Sequence, residues 1–327
     1  MKNIVIPDRI TLPDVEQEIL GNGYSIYSPC VTDSSDISDD IWSTADGILA
    51  WQDIIYTREL VEQLDRCRVL VRVGVGYDNV DLSATRDRGI VVCTVPDYGT
   101  CDVADHAISL LLSIQRGLFA YNDLTKTEGN WGWSLAGNLQ RISGLNLGII
   151  GLGRIGMAVA RRALSFGMNV CFYDPYVRDG FDKSLGITRS TNLESLLNKS
   201  DAITIHTPLT DETRSMINLQ TIEFMKIGSV LINTARGGIV DIDALHKGLE
   251  TNHIRAAGID VLDIEPPDFT HPMIAAWAID EPWIRNRLII TPHAAFYCQG
   301  AYTEMRQKAA LEAKRVLEGR SPRNPVV

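Results

Sequence analysis

The chain has no long apolar run, no clustered cysteines and no excess of positive charge, and each lack removes a class of protein. No apolar stretch approaches the ~20 residues that a membrane-spanning helix needs. The six cysteines stand apart at positions 30, 67, 93, 101, 171 and 298. With no CxxC pair and no Cys/His cluster, neither a disulfide framework nor a zinc site is indicated, and no metal is expected. Cys93 and Cys171 fall in apolar runs and read as small core residues. A reducing, cytoplasmic compartment is therefore expected. The opening MKNIVIPD is too short and too soon polar for a signal peptide. Lysine and arginine number 31 against 41 acidic residues, a net charge of −10. Such a chain repels a phosphate backbone, so neither nucleic acid nor membrane is expected as a partner. Low-complexity segments and short-period repeats are also missing.

What is present is an ordinary globular composition, 45% hydrophobic and 22% charged, over 327 residues. That length suits two domains better than one core. Short Val/Ile/Leu-rich runs recur at 3–6, 24–27, 47–51, 69–73 and 90–94. A second series follows at 146–150, 169–173, 202–206, 229–233, 256–260 and 288–291. Continuous rather than alternating apolar runs read as strands buried on both faces, as in a parallel sheet covered by helices. The spacing leaves room for a crossover helix between most of them. Thr191 and Glu194 read as a capping box, and Asp241 or Asp243 as a cap for the next helix. Gly167 and Gly319 read as helix stops. One long helix is expected over 102–124, and a last one from about Gln299 to Gly319.

The fold class read from this pattern is α/β. It has two doubly wound parallel-sheet domains, a Rossmann dinucleotide domain and a flavodoxin-like substrate domain, with a cleft between them. The turn Pro96-Asp97-Tyr98-Gly99 marks the boundary. Residues 1–100 with 296–327 form the discontinuous substrate domain, and 101–295 the dinucleotide domain.

Gly151-Leu152-Gly153-Arg154-Ile155-Gly156 is weak evidence as a bare glycine triplet. Here it follows a strand and opens a helix, and a second strand ends at Asp174, 18 residues after Gly156. That context makes it a dinucleotide fingerprint. Gly151 permits the turn, Gly153 lets a pyrophosphate approach the backbone, and Gly156 lets helix and strand pack. The helix N-terminus offers N–H groups and partial positive charge to the phosphates. Asp174 accepts from ribose hydroxyls and repels a 2′-phosphate, so the expected cofactor is NAD rather than NADP.

Arg236, Glu265 and His293 each follow a strand of the second series. Ligands of open α/β sheets bind beyond the carboxyl ends of the strands, so three distant residues can converge there. Reducing a ketone leaves charge on the carbonyl oxygen, and a proton donor there is worth ~100–10,000-fold in rate. Histidine, with an ordinary pKa near operating pH, suits that task in reduction and serves as base in oxidation. A carboxylate, here Glu265, orients the ring. Arginine's planar fork, here Arg236, grips a carboxylate and polarises the carbonyl. In Arg72-Val73-Gly74-Val75-Gly76 another glycine-rich strand end presents the backbone of Val75 and Gly76, and the charge of Arg72, to a substrate carboxylate. The alternative is a plain turn, with Asp78 and Asn79 as turn-makers.

GVGYDNVD, VADHAISLLL, LGIIGLGRIG, FYDP, HTPLTDETRSMIN, LINTARGGIVD and TPH together resemble the D-isomer-specific 2-hydroxyacid dehydrogenase family. The resemblance runs from about Val69 to Gly319. Within the family VRVGVGYDN, FGMNVCFYDPY and HAAFYCQGAYTEMRQKAALEAKR are most similar to the C-terminal binding protein-like members. The resemblance implies Arg236, Glu265 and His293 as a catalytic triad. It implies phosphate contact at Arg154-Ile155 and ribose contact at Asp174. Further cofactor contacts are implied near His206, Thr207, Pro208, Ala235 and Asp260, and substrate contacts at Arg72, Val75 and Gly76. It also implies a homodimer built through the NAD domain and a small 2-keto or 2-hydroxy acid as substrate.

Three departures bear on that reading. Phe296 stands where C-terminal binding proteins usually carry tryptophan, and Ala294-Ala295 stands where many dehydrogenases carry glycines. The stretch between Glu265 and His293 is long, and reads as a lid or an interface element. Trp51 joins Phe296 among the substrate-binding candidates; Trp51, Trp131 and Trp133 read equally well as core or interface residues. Two other outputs fit the same motifs, NADH sensing by an interaction protein and oxidation of a phosphonate-type substrate. The short tail after Gly319 weighs against the sensor.

Overall fold

The structure, a computed structural model, describes residues 1–326. The chain divides into two compact units, Met1–Gly99 with Tyr297–Val327, and Thr100–Phe296. Unit 1 holds strands β1 (Lys2–Val5), β2 (Tyr24–Tyr27), β3 (Gly47–Ala50), β4 (Val69–Arg72) and β5 (Val91–Thr94). They form one parallel sheet in the order β2-β1-β3-β4-β5. Its helices are α1 (Asp14–Leu20), α2 (Asp39–Thr44), α3 (Arg58–Glu62), α4 (Leu82–Asp87) and, from the chain's last segment, α13 (Gln299–Leu317). β3 and β4 are buried at every position, as their continuous apolar runs require.

Unit 2 holds β6 (Asn146–Ile150), β7 (Asn169–Tyr173), β8 (Thr188–Arg189), β9 (Ala202–Ile205), β10 (Ser229–Asn233), β11 (Ile254–Ile259) and β12 (Leu288–Ile290). Their order is β12-β11-β10-β9-β6-β7-β8, and every pairing is parallel. The order reverses at β6, whose neighbours are β7 and β9. That is the switch point at which a doubly wound sheet opens a crevice beyond its strand ends. Its helices are α5 (Thr100–Gln115), α6 (Leu118–Leu124), α7 (Arg154–Ser165), α8 (Phe181–Leu185), α9 (Leu193–Lys199), α10 (Leu219–Glu223), α11 (Ile242–Glu250) and α12 (Pro272–Ala278). Two clusters of buried residues flank the sheet. One joins Ile203, Leu231, Ala257 and Ile259 to α9, α11 and α12. The other joins Leu147, Ile149, Val230 and Ile232 to α5 and α7.

Several local readings need correction. The helix expected over 102–124 is two helices, broken at Gly117, which sits at φ 63 in the left-handed region. A side chain there would lie 2.6 Å from the Ala136 Cβ, so the break is also a packing point for the following loop. The cap of α9 is Asn192, not Thr191: the Asn192 side chain accepts from Ser195 N at 2.8 Å. Asp241 caps α11 as expected, accepting from the Asp243 and Ala244 amides. β8 has only two residues, too few for an apolar run to announce it. The stretch between Glu265 and His293 is anchored: Met273, Ile274, Ala276 and Ile284 in it are at most 5% exposed and belong to the core. A freely moving lid does not fit that burial. No helix among the described residues is long and apolar enough to cross a membrane.

His206, just past β9, carries a consequence for stability. Burial lowers its pKa to about 3, and its Nε2 meets Thr204 Oγ1 at 2.8 Å. The unfolded chain takes up a proton near the ordinary histidine value, while the folded chain keeps this ring neutral. Stability therefore falls as pH drops below about 6.5, by up to ~1.4 kcal/mol per pH unit for one proton. Urea denaturation at pH 7 and pH 5 should reveal this loss, and His206→Leu should reduce it. An equal loss in the variant would assign the effect to other groups.

Candidate active site

The glycine loop leaves β6 at the switch point. Gly151 has φ +88, and a Cβ there would lie 2.7 Å from the His206 carbonyl oxygen, so the turn lies against the end of β9. A Cβ on Gly156 would come within 2.2 Å of the Gly151 carbonyl oxygen; glycine is what lets the first turn of α7 seat on the loop. At Gly153 the same test meets nothing within 4 Å. Open space therefore lies over the helix start, and Gly153, the N-cap residue, provides no side-chain cap. The first N–H groups of a helix lack intrahelical partners, so the Gly153–Ile155 end offers donors and partial positive charge to a phosphate. These residues fit a pyrophosphate.

Asp174 follows β7 and already works within the protein. Its Oδ2 accepts from Leu152 N at 2.8 Å, and Oδ1 accepts from Tyr176 N at 2.9 Å and Val177 N at 3.2 Å. It thus ties the glycine loop to the end of the second strand. A carboxylate has about four acceptor positions, so room remains for a ribose hydroxyl. Arg178 is exposed.

Arg236, Glu265 and His293 follow β10, β11 and β12, three neighbouring strands. The turn bearing Arg236 is held by Asn233, 1% exposed, whose Oδ1 accepts from Ala235 N at 3.0 Å and whose Nδ2 donates to the Arg236 carbonyl at 2.9 Å. The next residue, Gly237, presses on the Glu265 loop: a Cβ there would lie 1.9 Å from the Leu262 carbonyl carbon. Glu265 Oε1 accepts from Leu262 N at 2.9 Å. Its Oε2 lies 2.8 Å from His293 Nδ1. Burial raises the Glu265 pKa, but the bond to His293, the Leu262 amide and the nearby Arg236 charge outweigh it, and the carboxyl sits below its ordinary value. With Nδ1 engaged, Nε2 is the ring atom left to face a substrate. His293 itself is in the left-handed region at φ 53, a conformation that costs ~1–3 kcal/mol and persists where the surroundings over-determine it. The Phe296 ring stands edge-on to the imidazole, with centroids 6.5 Å apart.

The other expected residues fall into place unevenly. Thr207 is half-buried beside the glycine loop, Pro208 is exposed, and the Pro208 carbonyl accepts from Thr213 Oγ1 at 2.7 Å. Asp260 is 2% exposed and points both carboxylate oxygens at its own chain, as described below. In unit 1, Arg72 ends β4, is 8% exposed and donates from Nη1 to the Val73 carbonyl at 2.6 Å. Gly74 makes room for it, since a Cβ there would lie 2.7 Å from that Nη1. Val75 is 42% exposed. Asn79 does more than make a turn: its Nδ2 bonds the Trp51 and Ile54 carbonyls at 3.0 and 2.9 Å. Trp51 is 5% exposed, its ring 5.6 Å from that of Tyr302. Trp131 and Trp133 are 90% and 88% exposed, which removes the core reading for both.

Two residues escaped the sequence reading. Asp8, fully buried past β1, accepts from Trp51 N and Asp53 N at 3.1 and 2.8 Å. Burial raises its pKa against the opposing effect of those amides. In Pro7-Asp8-Arg9 it looks like any turn acid. His106 on α5 had no local signal either. A groove of about 600 Å³ in unit 1, lined among others by Asp97, Lys308, Glu318 and Arg320, contains none of the expected catalytic residues. Its charges are partly matched to one another, as in Lys308–Asp97 and Arg320–Glu318.

Residues 108–295 match the family model described as D-isomer specific 2-hydroxyacid dehydrogenase, NAD binding domain. The chain belongs to that family. D-3-phosphoglycerate dehydrogenase from Methanocaldococcus jannaschii is 36% identical over 275 residues, 83% of this chain and 49% of that protein. C-terminal-binding protein 1 from Caenorhabditis elegans is 31% identical over 95% of this chain and 42% of its own length. The chain thus spans about half the length of the curated relatives it matches. Among solved structures, D-lactate dehydrogenase from Aquifex aeolicus, complexed with NAD and lactic acid, superposes with a TM-score of 0.85 at 31% identity, covering 97% of this chain and 96% of that one.

The tight seat of Gly237 gives a direct test of the site's construction. Gly237→Ala must push the Arg236 turn and the Glu265 loop apart. A ~1 Å displacement of positioned groups costs about 100-fold in rate, so turnover should fall by that order while NADH affinity stays within about threefold. Unchanged turnover would show that the two loops are not coupled.

Proposed function

We propose that the protein is an NAD(H)-dependent dehydrogenase that interconverts a small 2-keto acid and its D-2-hydroxy acid, with His293 as acid and base. The observation that carries this is the 2.8 Å contact of His293 Nδ1 with Glu265 Oε2, which follow β12 and β11 beside β10, the strand before Arg236. The NAD-binding domain of the family, and a structural relative described with NAD and lactic acid, support the same reading.

Gly151, Gly153, Arg154, Ile155 and Gly156 bind the pyrophosphate, and Asp174 takes the ribose. His206, Thr207, Pro208 and Ala235 line the approach along neighbouring strand ends. Bound NADH supplies the hydride. His293 holds a proton on Nε2 and gives it to the substrate oxygen as charge develops there; in the opposite direction it removes that proton. Glu265 stays ionised, fixes the ring through Nδ1 and stabilises the imidazolium. Arg236 grips the substrate carboxylate and polarises the neighbouring carbonyl. In unit 1, Arg72, with the backbone of Val75 and Gly76, and Trp51 are assigned to substrate binding, as Phe296 is in unit 2.

A homodimer and a cytoplasmic location belong to this reading. Leu118, Phe119, Trp131 and Trp133 leave large apolar side chains exposed on one segment of unit 2, a patch of the kind that marks an interface. Sedimentation as a monomer at micromolar concentration would count against the dimer. The cysteines carry free thiols, as a reducing compartment requires.

The test is NADH oxidation screened over glyoxylate, pyruvate, hydroxypyruvate, phenylpyruvate and phosphonopyruvate. At least one should turn over, and His293→Ala should lower kcat by ~100–10,000-fold while NADH still binds. Turnover unaffected by that substitution would remove His293 from the mechanism. Tight NADH binding without turnover of any acid would favour a sensor. NADPH used as well as NADH would overturn the role given to Asp174.

A further inference from the structure

Asp260 lies just past β11 with both carboxylate oxygens engaged. Oδ1 accepts from Thr291 Oγ1 at 2.5 Å and from Ala294 N at 2.9 Å; Oδ2 accepts from Ala295 N at 2.9 Å. Its backbone carbonyl accepts from His293 N at 2.8 Å. One buried residue therefore holds the 291–295 strap at four points, and the middle of that strap is His293 in its left-handed conformation.

One further side chain joins this cluster from outside the strap. His106, on α5, places Nε2 3.0 Å from Thr291 Oγ1 and 3.7 Å from Asp260 Oδ1. The Thr291 hydroxyl has one proton, and it is given to Asp260. Toward His106 the threonine oxygen can only accept, so His106 carries a proton on Nε2 and donates it. The neighbours of His106 on α5, Ala107, Leu110 and Leu111, already bury that helix against the sheet. The His106 side chain keeps 26% exposure while that of Asp260 keeps 1%.

We propose that His106 is a positioning residue for the reaction. The chain His106 Nε2–H to Thr291 Oγ1–H to Asp260 sets the strap, and the strap sets the His293 imidazole against Glu265. His106 touches neither substrate nor cofactor in this account. With Nε2–H facing its oxygen, Thr291 keeps its proton on Asp260, whose oxygens also accept from the Ala294 and Ala295 amides. The proposal rests on His293 as the acid–base group, and it adds a residue from a distant helix to that group's support.

The experiment uses the whole protein with isotope-labelled histidine. It reads the His293 imidazole resonances alongside kcat and KM for a 2-keto acid that turns over. His106→Leu and Thr291→Val should each shift the His293 resonances and lower kcat by about 10- to 100-fold, the cost of a displacement near 1 Å. KM for NADH and the melting midpoint should stay close to wild type. The double variant should be no slower than Thr291→Val alone, because both changes break one chain. His106→Gln, whose amide nitrogen falls near the place of Nε2, and Thr291→Ser should restore the wild-type resonances and most of the rate. If His106→Leu does not fold, the Gln and Ser variants still decide: either one with Leu-like or Val-like loss overturns the chain. A His293 resonance that ignores His106→Leu also overturns it, as does a double-variant loss equal to the product of the single losses. Because the resonances are read without turnover, absence of any dehydrogenase activity would defeat the functional reading separately.

Discussion

The contact between His293 and Glu265 depends on a constraint of the backbone: β10, β11 and β12 are parallel and adjacent. Parallel neighbours bring their carboxyl ends to one edge of the sheet. Residues 236, 265 and 293 therefore lie at one edge although the first and last are 57 positions apart in the chain. Everything else at the site refines that placement. Asn233 closes the Arg236 turn, Gly237 lets it press on Leu262, Leu262 donates to Glu265, and Glu265 meets the ring of His293. Each link is short-range and made largely of backbone, so the site is built into the sheet edge and not hung on free loops.

Two acids at this sheet edge illustrate how burial and bonding divide labour between carboxylates. Glu265 keeps 34% of its side chain exposed and is held below its ordinary pKa by its partners, His293 first among them. Asp260 is nearly sealed, and its oxygens accept from Thr291, Ala294 and Ala295. One carboxylate meets the His293 ring and the other holds the strap. Ala294 and Ala295 take part through their amides, which glycines at those positions would also supply. The alanines therefore leave the strap's bonding unchanged.

The parallel-sheet architecture was legible because buried strands leave long Val/Ile/Leu runs, and most strand bounds fall within a residue or two of those runs. Asp241 was legible as a cap because its partners are its own next neighbours. The glycine loop was legible because strand, turn, helix and strand follow one another along the chain. What was not legible depends on distant partners or weak local signals. Gly117 breaks a helix inside an unbroken apolar pattern. Asn192 outcompetes Thr191 as a cap by a single residue. β8 is two polar positions long. The anchoring of the stretch after Glu265 is known only once Met273 and Ile274 are seen against the core. The work of Asp8, Asn79, Asp260 and His106 lies in hydrogen bonds to residues tens or hundreds of positions away, which no local pattern records.

The central claim is that His293 and Glu265 act as one unit on the proton. A double-variant cycle measured as the single-turnover rate of NADH oxidation, with a 2-keto acid that turns over, tests it most directly. Residues acting as a unit are strongly non-additive. The account predicts that Glu265→Gln slows the step and that Glu265→Gln with His293→Gln is no slower than His293→Gln alone. A double variant whose loss equals the product of the two single losses would contradict it.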